Sequence, residues 1–243
     1  MKVSLLGVEI DALGMEETVE RVAGLINSGR PHRILTINPE FLYQAQFEER
    51  IMKLAQKADL ITPDGIGIVW ACRLAGFPVK ERITGTDLML RLVERASPEG
   101  WRVYLLGGAP GVAEEAAKKL QLQYPGLNLA GTHHGYFKDN EEELLVKKIK
   151  ELKPHLLFVA LGAPKQELWI DQHIQEIGTA TAIGVGGSFD VVSGRVERAP
   201  RWVRRINLEW LYRLLKEPSR LRRQAILPLF AWLVIRKYGL RIS

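Results

Sequence analysis

Short apolar or β-branched runs alternate with longer segments of helical period along most of this chain, and that alternation restricts the fold more than any other feature. The runs Arg33–Ile37, Asp59–Ile61, Arg102–Leu106, Leu127–Ala130, Leu156–Leu161 and Thr181–Val185 predict strands. Helices are predicted over Glu16–Ile26, Glu40–Ala58, Thr86–Ala96, Val112–Leu122, Glu141–Leu152 and Lys165–Ile177. Such alternation closes as α/β, a Rossmann-like, mostly parallel sheet with helices on both faces. The unbroken apolar run from Leu156 to Leu161 suits a strand buried on both sides.

Ligands of open α/β sheets bind beyond the carboxyl ends of the strands, so the residues just after each strand matter most. Here they are Thr36-Ile-Asn38-Pro39-Glu40, Thr62-Pro63-Asp64-Gly65, Gly107-Gly108-Ala109-Pro110-Gly111, Gly162-Ala163-Pro164-Lys165-Gln166 and Gly184-Val185-Gly186-Gly187-Ser188. These five turns carry glycine, proline or small polar residues and are expected on one edge of the sheet.

The positive charge lies at one end. Residues 195–243 hold 13 Lys and Arg against three acids, a net of +10, and also Trp202, Trp210 and Trp232. The other 194 residues hold 21 basic and 25 acidic side chains, a net of −4. Such a tail calls for an anionic partner, a phosphate or an anionic membrane surface. Apolar positions from Val203 to Leu215 fall at helical spacing, predicting a helix over Ala199–Lys216, and Ser219 can cap a second. We therefore expect residues 1–194 to form the α/β body and 195–243 a basic, helical appendage. The longest apolar run, Ala225–Ile235, is too short to span a bilayer, which needs roughly 20 residues. A single cysteine, Cys72, excludes an internal disulfide, fits a reducing compartment and suits core packing. The N-terminal apolar run is too short for a signal peptide.

Several residues could carry chemistry. The glycines Gly107, Gly108 and Gly111 after a strand suit phosphate binding by backbone N–H groups, or simply a tight turn. Neither G-x-G-x-x-G spacing nor G-K-[ST] is present, against a standard dinucleotide fold and a P-loop NTPase. Asp64 can be a general base facing a cleft or a helix N-cap. Gln166 can bind a sugar or base edge or sit on an exposed first turn. Asn38, before Pro39, has the same ambiguity as a turn residue. Arg82 is a candidate anion ligand or a solvated loop arginine. His133-His134 lacks the companions of a metal site, and no D-x-D triplet exists to hold a divalent cation on a diphosphate. A leaving diphosphate would then be neutralised by arginine.

Together these blocks resemble the WecG/TagA/CpsF glycosyltransferases. The resemblance runs through Thr36-Ile-Asn38-Pro-Glu-Phe41, Pro63-Asp64-Gly-Ile-Gly67, Arg82-Ile-Thr-Gly-Thr-Asp87, Leu106-Gly-Gly-Ala-Pro-Gly111, Gly135-Tyr136-Phe137, Leu161-Gly-Ala-Pro-Lys-Gln166-Glu167 and Gly186-Gly-Ser-Phe-Asp190. It continues through Arg198-Ala-Pro-Arg-Trp-Val-Arg204, Glu209-Trp-Leu-Tyr-Arg213 and Pro218-Ser-Arg220-Leu-Arg-Arg223. It implies an inverting, metal-independent transferase with no cofactor. Such an enzyme moves an N-acetylmannosamine-type sugar from a UDP-sugar donor to a polyprenyl-diphosphate-linked sugar, peripherally at the cytoplasmic membrane face. By the resemblance, Asp64 is the base and Thr36, Asn38, Arg82 and Gln166 line the sugar and acceptor pocket. Tyr136 and Asp190 lie near the uracil, and Gly107 and Gly108 belong to the binding loops. Arg213, Arg220 and Arg223 reach a diphosphate from the tail. The tail serves both membrane association and completion of the site.

Within the family, donors bearing a uronic acid or glucose are the alternative. An NAD-linked oxidoreductase and a nucleic-acid binder are remoter; the absent dinucleotide fingerprint weighs against the first, and no nucleic-acid partner is expected. The oligomeric state stays open, a homo-oligomer included.

Overall fold

The structure, a computed structural model, describes residues 1–179, 181–216 and 221–239, the side chains of Asp139, Arg213, Arg222 and Arg223 excepted. A hairpin of β1 (Lys2–Leu5) and β2 (Val8–Asp11) comes first, turning at Leu6 and Gly7, both at positive φ. Next are α1 (Met15–Ile26), β3 (His32–Ile37), α2 (Pro39–Ala45), α3 (Glu49–Gln56), β4 (Leu60–Pro63), α4 (Ile66–Leu74) and α5 (Gly85–Glu99). The alternation continues with β5 (Arg102–Gly107), α6 (Val112–Gln123), β6 (Asn128–His133), α7 (Asp139–Leu152), β7 (Leu156–Ala160), α8 (Lys165–Ile177), β8 (Thr181–Gly184) and α9 (Ser188–Ser193). The tail holds α10 (Arg201–Arg205), α11 (Glu209–Lys216), α12 (Leu221–Gln224) and α13 (Ile226–Tyr238).

The six strands β3 to β8 form one parallel sheet in the order β4-β3-β8-β7-β5-β6. Alternate residues of the central strands feed opposite layers. From β7, Leu156, Phe158 and Ala160 pack with α1, α5 and α6, while Leu157 and Val159 pack with α7 and α8. A third cluster joins the hairpin to α2, α3 and α4 over Leu35, Ile37 and Ile61. The exposed edge of β4 is blunted from the hairpin, because the Asp11 carboxylate accepts the Ile61 N–H at 2.9 Å.

Two expected helices divide. The Glu40–Ala58 segment is α2 and α3, separated by a turn in which Gln46 and Phe47 bond back to Tyr43 and Gln44. Buried positions keep helical spacing on both sides, so periodicity alone does not see the break. The Ala199–Lys216 segment is α10 and α11, parted at Asn207, whose φ of 61° no helix accommodates. Ser219 lies outside the described residues.

The last helix is built into the core. Phe230, Val234 and Tyr238 of α13 are buried with residues of α2 and α4, and the Tyr238 hydroxyl accepts the Leu6 N–H at 2.9 Å. Four-residue spacing puts these three on one stripe of the helix. Leu229, Trp232, Ile235, Arg236 and Lys237 face outward, and Arg236 sits 5.3 Å from the centre of the Trp232 ring. No helix among the described residues is long and apolar enough to cross a membrane.

Candidate active site

A cleft of about 810 Å³ opens beyond the carboxyl ends of β4, β3 and β8, where an open α/β sheet places its ligands. Asp64 lies on its floor. The Asp64 N–H donates to the Ile37 carbonyl at 2.8 Å, an extension of the β3–β4 ladder that fixes where the side chain starts. Gly65 follows with φ of 96°, a left-handed conformation costly for any residue with a Cβ, and caps α4 with no side chain of its own. Asp64 therefore does not cap the helix it precedes. Its Oδ2 accepts the Gly85 N–H at 3.3 Å, at the first turn of α5, where the positive end of the helix favours a carboxylate. Thr84 supplies the side-chain cap there, accepting from the Asp87 N–H at 3.1 Å.

The polar side of the cleft comes from neighbouring strand ends. The Thr36 hydroxyl donates to the Gly184 carbonyl at 3.2 Å, joining β3 to β8. Asn38 serves as N-cap of α2, its Oδ1 accepting the Phe41 N–H at 2.8 Å. Gln166 is buried rather than on an exposed turn; its Nε2 donates to Glu167 at 2.8 Å and its Oε1 accepts from Gly186 N at 3.0 Å. Both ends of the amide are thus tied to protein, which fixes its orientation toward the cleft. Burial pushes the Glu167 carboxyl above its usual range, against the hydrogen bond from Gln166.

Arg82 is not a solvated loop arginine. Its guanidinium meets Glu209 of α11 at 3.1 Å, and both side chains are largely buried. Glu209 also accepts from Arg198 Nε at 3.3 Å, while Arg198 holds Asp87 through two contacts of 2.7 Å. At Asp87 burial acts upward, yet hydrogen bonds from Arg198 and Thr84 and the charges of Arg198 and Arg204 hold its pKa below the ordinary 3.8. The cleft is also lined by apolar side chains, Trp70 of α4, Trp210 and Leu214 of α11, Leu221, and Leu227, Pro228 and Ala231 of α13.

Thr36, Asn38, Asp64, Arg82 and Gln166 line one cleft. Gly107, Gly108, Tyr136 and Asp190 do not line it. The glycines lie further along the same sheet edge, between β5 and β7, whose outgoing connections run to opposite sides and mark the topological switch point. Gly107 has φ of 132°, and a Cβ there would lie 2.3 Å from the Ala160 carbonyl oxygen. The Gly135 N–H donates to the Gly108 carbonyl at 2.8 Å, which brings the loop bearing exposed Tyr136 beside the glycines. Asp190 lies on α9. Arg220 and the side chains of Arg213 and Arg223 fall outside the described residues.

Residues that site reasoning passed over include Glu209 and the cleft hydroxyls of Thr86 and Ser188, which share a 2.8 Å hydrogen bond. All three stand inside motif blocks, and Glu209 is one of just three acids in a basic tail. Among the described residues no three His, Cys, Asp or Glu side chains converge as metal ligands would.

A carboxylate beside hydroxyls and an arginine, facing an apolar wall, suits proton abstraction from a substrate that carries a greasy group. Residues 3–242 match the family described as Glycosyl transferase WecG/TagA/CpsF. An N-acetylglucosaminyldiphosphoundecaprenol N-acetyl-beta-D-mannosaminyltransferase of Bacillus spizizenii is 40% identical over 203 residues, 84% of this chain and 78% of the relative. A protein of the same description from Staphylococcus aureus strain MW2 is 37% identical over 233 residues, 95% of this chain and 91% of the relative. The chain belongs to the WecG/TagA/CpsF family of glycosyltransferases.

Proposed function

We propose that this chain transfers N-acetylmannosamine from UDP-N-acetylmannosamine to undecaprenyl-diphospho-N-acetylglucosamine, with inversion and without a metal ion, as a step of wall teichoic acid synthesis. The observation that carries the reading is the joining of Asp64 and an apolar wall in one cleft. A sugar on a lipid diphosphate has a hydroxyl for the first and a hydrocarbon chain for the second. The relatives' description names that acceptor and that sugar.

In this mechanism the Asp64 carboxylate takes the proton of the attacking hydroxyl. The hydroxyl oxygen bonds to the anomeric carbon of the donor as the bond to UDP breaks, and the electron pair leaves on the diphosphate. Positive charge must meet that pair, and Arg213, Arg220 and Arg223 are the groups we assign to it. Thr36, Asn38, Arg82 and Gln166 hold the sugars. Gly107, Gly108, Tyr136 and Asp190 form a nucleotide subsite further along the edge, where glycine backbone can approach phosphate.

Residues 1–194 act as the catalytic body and 195–243 as the segment that meets the membrane. The outward stripe of α13 supports this, because Trp232 with Arg236 and Lys237 is the pairing that favours a headgroup layer. The enzyme would then work peripherally at the inner membrane face. A panel of UDP-sugars, with a short-chain lipid-diphospho-N-acetylglucosamine acceptor and with or without chelator, tests the proposal. Transfer from UDP-N-acetylmannosamine that survives chelator is expected. Transfer only from a UDP-uronic acid or UDP-glucose would replace the donor, and loss with chelator would overturn the metal-free step.

A further inference from the structure

We infer that Glu209 is a positioning residue for the transfer reaction, acting through Arg82 and joining the tail to the catalytic cleft. The inference rests on the reaction proposed above.

Glu209 opens α11, so it belongs to the tail, yet it is 4% exposed and lines the cleft. One carboxylate oxygen takes Arg82 Nη2 at 3.1 Å and the other takes Arg198 Nε at 3.3 Å. An arginine on a loop has many rotamers; a buried carboxylate in contact with its guanidinium selects among them. Arg82 is thus aimed into the cleft by a residue 127 positions later in the chain.

The contact is also the end of a chain of bonds that reaches the cleft floor. Arg198 grips Asp87 with both terminal nitrogens, each at 2.7 Å. Asp87 accepts from the Thr84 hydroxyl at 2.7 Å, and Thr84 caps the helix whose first N–H, on Gly85, binds Asp64. Arg198 is thus held by Asp87 through contacts of its own, so the tail supplies two separate links, Arg198 to the turn that binds Asp64 and Glu209 to Arg82. Burying these charges is costly unless each meets an opposite charge, so the cluster is stable only with α11 docked. Docking of the tail and alignment of Arg82 become one event.

The test is a double-mutant cycle on turnover with UDP-N-acetylmannosamine and the lipid acceptor, using Glu209→Gln, Arg82→Ala and the pair. A residue that acts through Arg82 has no further effect once Arg82 is gone. Glu209→Gln alone is expected to lower kcat/KM by up to about 100-fold, the scale of a displaced positioning group. In the Arg82→Ala background it should change kcat/KM by no more than about twofold, the error of additivity for uncoupled sites. Glu209→Asp, which keeps the charge, should recover part of the loss at a melting temperature close to that of Glu209→Gln. Full additivity, or recovery that follows melting temperature alone, would show a purely structural role and overturn the inference. Absence of transfer by the unsubstituted chain would overturn the reaction itself, and this assignment with it.

Discussion

The two walls of the cleft are built by different physics. The body side supplies polar strand-end groups beside apolar Phe41, Ile66 and Trp70: Thr36 on β3, Asp64 after β4 and Gln166 at the start of α8 are each fixed by hydrogen bonds to backbone. The tail side is mostly apolar, with Trp210 and Leu214 on α11 and Leu227 and Ala231 on α13 beside Glu209 and Gln224. It is held in two ways. Buried ion pairs hold α10 and α11 through Arg198 and Glu209, whereas apolar packing and one tyrosine hydrogen bond hold α13. In the proposed mechanism the base therefore sits on the body side, and the hydrocarbon chain meets the side that docks.

That division can be broken from either side. The largest effect belongs to the body wall. Asp64→Asn should lower turnover by roughly two to four decades, the range for a lost general base, and leave the fold intact by circular dichroism. Turnover within tenfold of wild type would remove Asp64 from the chemistry. Next comes the core face of α13. Phe230→Ala should cost about 3–5 kcal/mol of stability in a denaturant melt, because it empties a fully buried aromatic site between α13 and α4. A cost below about 1 kcal/mol would mean that α13 packs only loosely in solution. The smallest effect is in acid. The folded pKa of Asp87 lies below its ordinary 3.8, so its contribution is complete above that value and is lost as pH falls through the folded pKa. Wild type should lose melting temperature below pH 3.8 more steeply than Asp87→Asn; parallel slopes would show that the cluster adds no pH-dependent stability.

Much of the body was legible in the sequence because its signals are local. The six parallel strands read as short apolar runs, and the five glycine- and proline-rich turns after them stand at the carboxyl edge. The β1–β2 hairpin escaped notice although Leu6-Gly7 between alternating residues is a two-residue turn signal. Thr36, Asn38, Asp64, Arg82 and Gln166 came together because each follows a strand or a motif block. The roles of Glu209 and of the Phe230–Val234–Tyr238 stripe were not legible. Their partners are Arg82 and Leu6, 127 and 232 residues away, and no local pattern encodes a contact of that range. The tail's charge advertised an anionic partner, while one of its few acids, Glu209, pairs with Arg82 of the body.

The apolar tail residues are assigned to the hydrocarbon chain of the acceptor, and one kinetic comparison tests that assignment most directly. Trp210→Ala should raise KM for a long-chain polyprenyl-diphospho-N-acetylglucosamine about tenfold or more, the worth of one large apolar contact, and leave KM for UDP-N-acetylmannosamine within about twofold. A rise confined to the UDP-sugar, or equal for both substrates, would contradict the assignment of the tail wall to the lipid.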